Sequence, residues 1–356
     1  MRLAGLPWRM IDYHRFRCRP VWVTFDVTWN CNCRCEYCNY WKERHEDLPL
    51  DQVQRVIEHL RRLGVMYLGI SGGEPLLRRD IVDIVECGLK SGMYVGINTN
   101  GTVGREETLK ALMERGIDTI CFSIDGATAA THERFRKNCP FDKVVRSIEA
   151  AVRIRNEGQY ATQISTNTVV HRGNVDEIEA ISRFRTTLGV DRNNFQPVVT
   201  ADLGDRKGAI AFSAEDQGLL ERVKTILKNL PDGNLSGYID LITDYYAGGG
   251  QSRKMACFAG RAFAYVDPAG TLYPCSVLLE PLAKLAGDGG TESLRSPEAR
   301  AVMHRAAEQR CKGCSLVCYM ERNVMLNHAL SPRMWRETLV DRYRVGRARK
   351  KVGRSA

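Results

Sequence analysis

The chain has 356 residues, enough to bury a large core, and it combines a net charge of +10 with 13 cysteines. No run of about eighteen or more apolar residues occurs, so a membrane-spanning helix is not expected, and the first twenty residues lack the apolar core of a signal peptide. Many cysteines without a secretion signal argue against a disulfide framework and predict a reducing, cytoplasmic location with metal chemistry.

The positive charge lies at the two ends of the chain. Residues 1–20 carry +4 and residues 341–356 carry +6, so the body between them is neutral. A neutral body argues against a nucleic-acid-binding face built into the fold. Solvated tails are the simplest interpretation. Peripheral contact with an anionic membrane is the alternative, because aromatic residues alternate with arginines near the N-terminus.

Three cysteines follow the first predicted strand. The β-branched and aromatic run Val21–Val27 predicts that strand, and Cys31, Cys35 and Cys38 lie on the loop that leaves it. Three thiolates can hold three irons of a cubane cluster and leave the fourth iron open, whereas electron carriers with only cysteine ligands use four. A zinc knuckle is the alternative, although zinc sites usually have paired C-x2-C units. Cys33 lies between the candidate ligand positions without breaking their spacing and is interpreted as a non-ligand.

This loop resembles the C-x3-C-x-aromatic-C signature of the radical S-adenosylmethionine (SAM) enzymes, with Tyr37 as the aromatic residue. The resemblance implies a [4Fe–4S] cluster whose open iron chelates SAM, and a reducing partner such as flavodoxin or ferredoxin. It also implies reductive cleavage of SAM to a 5′-deoxyadenosyl radical. In such radical chemistry the protein mainly supplies binding and orientation.

Segments typical of strands and helices alternate along the first 199 residues. The predicted strands are Val21–Val27, Val65–Ile70, Met93–Asn98, Ile117–Ile124, Ala161–Val170 and Asn194–Val199. The predicted helices are Asp51–Gly64, Asp80–Leu89, Glu106–Arg115, Lys143–Arg155 and Val175–Leu188. Six β/α units predict a parallel sheet, and we expect an α/β fold: a partial (β/α)6 TIM-like barrel with its chemistry at the C-terminal ends of the strands.

The end of the second strand carries a glycine motif. Gly72, Gly73 and Glu74 resemble the family's GGEP motif, which implies that the Glu74 carboxylate accepts a hydrogen bond from the SAM ammonium. Paired glycines let backbone approach a ligand closely. Asn100 and Asn167 are also assigned to strand ends, and these asparagines either bind SAM or substrate or cap helices and turns.

The end of the fourth strand carries further candidates for SAM binding. Ser123 and Asp125 occupy the position from which the family contacts the ribose and carboxylate of SAM, and Arg136 aligns with a family arginine used for that carboxylate. The alternatives are an Asx turn at Asp125 and a solvent-exposed surface position for Arg136.

The chain changes character after residue 200. Helices are predicted at Ser213–Leu230 and Tyr238–Tyr246, a glycine run at 248–250 indicates a linker, and Ala262–Val266 with Thr271–Tyr273 predicts a hairpin. We therefore expect four segments. They are a basic extension at 1–20, the barrel at 21–247, a small cysteine-rich domain at 248–330 and a basic tail at 331–356.

Five cysteines of the C-terminal part form the pattern C-x12-G-x4-C followed by C-x2-C-x3-C: Cys257, Cys275, Cys311, Cys314 and Cys318. The pattern resembles the SPASM or twitch auxiliary-cluster domain, with Cys318 competing with Cys314 as a ligand. Because no cysteine follows Cys318, one auxiliary [4Fe–4S] cluster near the barrel mouth is expected, and a zinc site is the alternative. The remaining cysteines, Cys18, Cys87, Cys121 and Cys139, match no spacing and are predicted to be packing residues.

Together these features predict a radical SAM oxidoreductase or tailoring enzyme, without a residue assigned as catalytic acid or base. Ser276 stands where sulfatase-maturing relatives have an aspartate base, which disfavours that reaction. The short segment before the barrel favours a small molecule, sugar or lipid as the substrate. A radical SAM peptide maturase is the alternative, and a basic zinc-binding RNA-associated protein is a remoter one.

Overall fold

A computed structural model describes residues 20–42, 45–199, 210–230, 234, 236–247, 256–287, 290–291, 294, 296–308, 314 and 316–327. The two basic ends, the predicted linker, Cys18, Cys311 and the side chain of Cys318 lie outside this part of the chain. The membrane-contact hypothesis therefore concerns residues that are not described. Within the described ranges, no helix is both long and apolar enough to cross a membrane.

The strands in chain order are β1 (Trp22–Asp26), β2 (Arg34–Cys35), β3 (Tyr67–Ser71), β4 (Tyr94–Thr99), β5 (Thr119–Ser123), β6 (Arg136–Lys137), β7 (Gln163–Val170), β8 (Arg192–Pro197), β9 (Phe263–Val266), β10 (Thr271–Tyr273) and β11 (Ala283–Lys284). Nine of them form one sheet in the order β11-β10-β9-β1-β3-β4-β5-β7-β8. The two-residue strands β2 and β6 pair separately. Neighbours from β9 to β8 are parallel, as the predicted barrel requires.

The helices in chain order are α1 (Leu50–Leu63), α2 (Ile81–Lys90), α3 (Glu106–Glu114), α4 (Ala129–Phe135), α5 (Phe141–Glu157), α6 (Ile178–Ser182), α7 (Phe184–Thr187), α8 (Gln217–Asn229), α9 (Ser236–Ala247), α10 (Pro297–Ala307) and α11 (Val317–Asn327). The partial (β/α)6 barrel is confirmed, because helices connect the six consecutive parallel strands β1, β3, β4, β5, β7 and β8.

One predicted helix, Val175–Leu188, is broken into a 3-10 turn and the short helices α6 and α7. The Ser182 hydroxyl at the break donates to the carbonyl oxygen of Glu179 at 2.7 Å. Such side-chain hydrogen bonds compete with the helix ladder and bend helices. The sequence periodicity predicted the apolar face correctly but not this interruption.

Each barrel strand alternates between two environments. Fully buried side chains such as Phe25, Ile70 and Ile97 belong to the main core, together with the apolar face of α1. The residues between them are mostly polar or half-buried, and Asn98 is exposed. Since successive side chains of a strand point to opposite faces, the second set lines the inside of the barrel. The interior is therefore a polar lumen that solvent can reach.

The predicted C-terminal hairpin is confirmed, and it extends the barrel sheet. β10 is antiparallel to β9, and β9 runs parallel to β1 with Trp22 opposite Phe263. The chain therefore enters β9 and leaves β10 at the end of the sheet where the barrel strands begin, which we call the floor. Cys257 and Cys275 flank this hairpin, so the expectation that they lie near the barrel mouth is wrong.

Helix α11 packs against the floor. The Arg322 guanidinium lies 4.6 Å from the ring centre of Trp22 and 5.7 Å from that of Tyr67, which are the first residues of β1 and β3. Tyr319 stacks on Phe263 at 4.9 Å. These ring contacts pack the aromatic first residues of three neighbouring strands, β9, β1 and β3, against one helix.

Candidate functional site

The three-cysteine loop is fixed at the opposite end of the barrel, after the last residue of β1. Cys35 is buried, and its strand β2 pairs with β6 so that Cys35 stands opposite Arg136. The Trp41 indole donates to the carbonyl oxygen of Cys38 at 3.0 Å. Cys31 and Cys38 are half-buried, and all three thiols are free. The loop backbone is thus fixed by contacts that do not use the sulfur atoms.

The glycine motif packs directly on the segment that enters this loop. Gly73 N–H donates to the carbonyl oxygen of Thr28 at 2.8 Å, and Glu74 N–H donates to that of Asn30 at 2.7 Å. Gly72 has φ +129°, and a Cβ there would stand 2.5 Å from the Thr28 oxygen. The close backbone approach expected of these glycines is therefore made to the chain itself. Contact between Gly72 or Gly73 and SAM stays a prediction.

Glu74 is fully buried and joins the ends of β3 and β4. Its Oε1 accepts from Leu76 N–H at 3.0 Å and from the Thr99 hydroxyl at 2.7 Å, and its Oε2 accepts from Asn100 N–H at 2.6 Å. Burial raises the pKa of Glu74 to about 7, although these donors partly oppose the shift. A carboxylate has about four acceptor positions, so one remains for an ammonium group.

Asp125 and Arg136 form a buried ion pair that includes the signature aromatic residue. Arg136 Nη1 lies 3.2 Å from Asp125 Oδ2, and the Tyr37 hydroxyl donates to the same oxygen. The other carboxylate oxygen accepts from Val169 N–H at 2.8 Å. Burial favours a higher pKa for Asp125, but the charge of Arg136 and the Tyr37 hydrogen bond outweigh it, so the pKa is lowered. The surface position considered for Arg136 is wrong, because this side chain is buried.

Several polar atoms around β5, β6 and β7 are buried without a partner among the described residues. They are Nε of Arg136, Oδ1 of Asn167 and Nε2 of His132 and His171. Ser123 stands opposite Asn167 in the parallel pairing, and Asn167 stands opposite Asn194. Buried polar atoms without partners are costly, so this edge is suited to a polar ligand. A carboxylate for the guanidinium and hydroxyl or amine donors for the amide oxygen, both present in SAM, fit the Arg136 and Asn167 atoms.

A carboxylate–tyrosine cluster that was not predicted from the sequence links the loop to the C-terminal strands. Asp26 accepts hydrogen bonds from the Tyr40 hydroxyl and, at 2.8 Å, from the Tyr265 hydroxyl. Burial raises the pKa of Asp26 to about 6, although both tyrosines oppose the shift. The sequence could have indicated this cluster only through Asp26, an aspartate at the end of β1 that faces the inside of the barrel. Only the fold reveals Tyr265 as its partner.

The C-terminal cysteines in the described part of the chain gather around α11. Asn323 Nδ2 lies 3.7 Å from Cys257 Sγ, and Ser276 N–H, next to Cys275, donates to the Tyr319 hydroxyl at 3.2 Å. Tyr319 and Asn323 are one helical turn apart and so lie on one face. Cys314 is half-buried just before this helix. In the described ranges, no three His, Cys, Asp or Glu side chains are placed around a single metal ion.

The arrangement defines an α/β-barrel protein with a cysteine-bearing cofactor site at the carboxyl ends of its strands. The family model "Radical SAM superfamily" matches residues 27–184. The chain therefore carries a radical SAM superfamily domain. The cofactors of this family are a [4Fe–4S] cluster and SAM, so the SAM-binding cluster and SAM expected from the sequence are confirmed. The auxiliary cluster and membership of the SPASM branch stay predictions.

Two curated proteins illustrate what the chain is similar to. The chain is 31% identical over 267 residues to PqqA peptide cyclase of Methylobacterium nodulans, covering 72% of this chain and 66% of the relative. It is 28% identical over 290 residues to mycofactocin maturase MftC of Mycolicibacterium smegmatis, covering 77% of this chain and 70% of the relative. It thus spans about two thirds of the length of these relatives.

Solved structures share the fold. SuiB of Streptococcus suis bound to S-adenosylmethionine has a TM-score of 0.61 at 15% identity, covering 82% of this chain and 68% of SuiB. Native anSMEcpe with bound AdoMet and the Kp18Cys peptide has a TM-score of 0.63 at 15% identity, covering 90% of this chain and 99% of that chain.

The relatives correct one expectation. A peptide cyclase and a maturase stand among the curated proteins most similar to the chain, so the small-molecule, sugar or lipid substrate expected from the sequence is wrong. That expectation used the length of the segment before the barrel. Length carries no information about the surfaces and lumen that select a substrate, which is why the inference failed.

Proposed function

We propose that the chain is a radical SAM enzyme that modifies a peptide. When bound, the cluster and SAM supply a 5′-deoxyadenosyl radical that abstracts hydrogen from an unreactive C–H bond. The observation that carries the proposal is the 31% identity to a peptide cyclase over 72% of this chain. Identity at this level supports a shared substrate class more strongly than fold likeness does.

Within this proposal, Cys31, Cys35 and Cys38 hold the cluster. The free acceptor position of Glu74 receives the SAM ammonium, and the unpartnered Nε of Arg136 receives its carboxylate. Ser123, the last residue of β5, and Asn167, opposite it in β7, bind the ribose hydroxyls in this proposal. Asp125 then orients Arg136 and need not contact SAM itself.

The lumen is the proposed place for the peptide side chain that reacts. It is lined by polar residues such as Asn98 and Asn194 and opens to solvent, which suits a substrate that is mostly polar backbone. β1 spans about 13 Å from floor to strand end at 3.3 Å per residue. A peptide side chain that lies in the lumen between the floor and the strand ends is therefore near both the SAM site and the floor.

We further propose that Cys257, Cys275 and Cys311, with Cys314 or Cys318, hold one auxiliary [4Fe–4S] cluster, and that this cluster lies at the floor beside Cys257 and Cys275. The position supports a role as acceptor of the substrate electron, because the lumen lies between the floor and the strand-end site. Cys257 and Cys275 both lie next to residues that contact one face of α11, which holds them on a common scaffold.

Anaerobic purification tests the cofactors. We expect about eight irons per chain for two [4Fe–4S] clusters and dithionite-dependent release of 5′-deoxyadenosine. Replacement of Cys31, Cys35 and Cys38 by Ala should abolish that release, whereas replacement of Cys257 and Cys275 should leave uncoupled SAM cleavage without product. A colourless protein with stoichiometric zinc would refute the proposal.

The peptide substrate is tested with short peptides encoded next to the gene. Each is incubated with the reconstituted protein, SAM and dithionite and analysed by mass spectrometry. We expect one peptide to lose hydrogen, with the change localised to one or two residues by fragmentation. Deoxyadenosine formation that is stimulated by a small metabolite and by none of the peptides would overturn the assignment.

A further inference from the structure

A buried asparagine lies beside a cysteine sulfur at each end of the barrel. Asn100 Nδ2 is 3.9 Å from Cys31 Sγ at the strand-end site, and Asn323 Nδ2 is 3.7 Å from Cys257 Sγ at the floor. Asn100 is 5% exposed and Asn323 is 1% exposed. Asparagine is rarely buried to this extent and then needs partners for its amide.

The backbone determines which end of each amide faces sulfur. Phe258 N–H donates to Asn323 Oδ1 at 3.0 Å, and Thr102 N–H donates to Asn100 Oδ1 at 2.9 Å. A backbone N–H can only donate, so its partner must be the amide oxygen. The NH2 group of each asparagine therefore faces the cysteine, and both contacts are N–H donors directed at sulfur.

We propose that Asn100 and Asn323 are positioning residues that raise the reduction potentials of the clusters held by Cys31 and Cys257. The Asn323 half rests on the auxiliary cluster of the proposed function. Reduction adds negative charge to the cluster and its thiolates, and an N–H donor stabilises that charge. The low local dielectric of a buried site strengthens the effect.

The surrounding contacts differ between the two sites. Asn100 also donates to Asn32 Oδ1 at 2.9 Å, so its NH2 group is shared between two acceptors. The NH2 group of Asn323 faces Cys257 and, at 3.8 Å, the thioether of Met320, which is a weak acceptor. At both sites the NH2 group therefore faces a cysteine sulfur and a second acceptor.

The test is an EPR-monitored redox titration of the anaerobically reconstituted full chain. Asn323→Asp keeps an acceptor for Phe258 N–H, removes the donor and adds negative charge. We expect full iron content and a roughly tenfold lower ratio of reduced to oxidised auxiliary cluster at fixed applied potential, which is about 59 mV for a one-electron couple. The cluster at Cys31 should keep its midpoint.

Asn100→Asp should give the reverse pattern, with the Cys31 cluster shifted and the auxiliary cluster unchanged. Met320→Leu is the matched control, because it removes the other sulfur near Asn323 and should shift neither cluster. Asn323→Ala, which adds no charge, should shift the auxiliary midpoint in the same direction by a smaller amount.

Each outcome bears on a separate claim. Full iron content with an unchanged midpoint in both Asn323 variants would overturn the inference. Loss of the auxiliary iron from both variants would also overturn it, since Asn323 would then be structural only. A wild-type chain that binds iron at the strand-end site alone would remove the auxiliary cluster from the proposed function, and the Asn100 titration would still decide the other half.

Discussion

Gly73 lies so close to the carbonyl oxygen of Asn30 that a Cβ built on it would stand 2.2 Å from that oxygen. The same oxygen accepts the N–H of Glu74 at 2.7 Å. Asn30 directly precedes Cys31, so the turn after β3 determines where the cysteine loop begins. Glycine at position 73 is therefore a requirement for the position of the three-cysteine loop.

Gly73→Ala should displace the loop, because backbone on both sides of the contact leaves no room for a methyl group. We expect loss of the strand-end cluster's iron and a decrease of about 1–3 kcal/mol in the free energy of unfolding of the apo protein. Gly218→Ala is the matched control. Gly218 lies in α8, an added Cβ there meets nothing within 4 Å, and alanine favours helix. Equal iron content in both variants would contradict the argument.

The barrel could be predicted from the sequence because its signals are local. Each strand is a short apolar or alternating run, each helix has an apolar stripe, and glycines such as Gly64 end the helices. The pairing of β9 with β1 could not be predicted, because nothing local identifies a partner more than two hundred residues away. The position of Cys257 and Cys275 at the floor follows from that pairing.

The residues of the candidate site also fall into two groups: those that local sequence predicts and those that only the fold brings together. The three-cysteine loop and the glycine motif are contiguous and were predicted. The ion pair of Asp125 with Arg136 includes Tyr37, a residue that the sequence identified only as the signature aromatic. Tyr265, as a partner of Asp26, and the asparagine contacts to sulfur depend on distances between remote segments, which residue spacing does not contain.

The buried ion pair yields a double-mutant test. Removing one partner of such a pair leaves a buried charge and typically costs about 3–5 kcal/mol. We expect Arg136→Met to lower the free energy of unfolding by this amount, measured by urea denaturation of the apo protein. Arg136→Met combined with Asp125→Asn should recover part of the loss, because the second change removes the uncompensated charge. Additive effects would show that the two side chains are not coupled.

Asp26 gives a prediction about pH. Its pKa is about 6 in the folded chain against 3.8 for the unperturbed side chain, so the folded state binds the proton more tightly. The resulting stability is fully present below about pH 4 and is lost as the pH rises through about 6, a change of roughly 3 kcal/mol. Glu74, with a pKa near 7, acts in the same direction. Asp26→Asn should therefore flatten only part of the decline.

The measurement is the free energy of unfolding of the apo protein between pH 4 and 7.5. The difference between wild type and Asp26→Asn isolates Asp26, because Glu74 is common to both. Tyr265→Phe is a useful companion, since it removes one donor to Asp26 and should raise its folded pKa further. Parallel pH profiles for wild type and Asp26→Asn would show that this carboxyl does not titrate in the expected window.

Cys33 and Cys139 allow the ligand assignment to be tested within one loop. Both thiols are almost fully buried, whereas Cys31 and Cys38 are half-buried and Cys35 is opposite Arg136. Cys33→Ala and Cys139→Ala should keep the iron content and the dithionite-dependent 5′-deoxyadenosine of wild type within about twofold, with a stability loss of about 1 kcal/mol from the lost packing. Cys35→Ala should lose one cluster's iron and all deoxyadenosine. If Cys33→Ala lost the cluster while Cys35→Ala retained it, the assignment of Cys31, Cys35 and Cys38 as the ligands would be wrong.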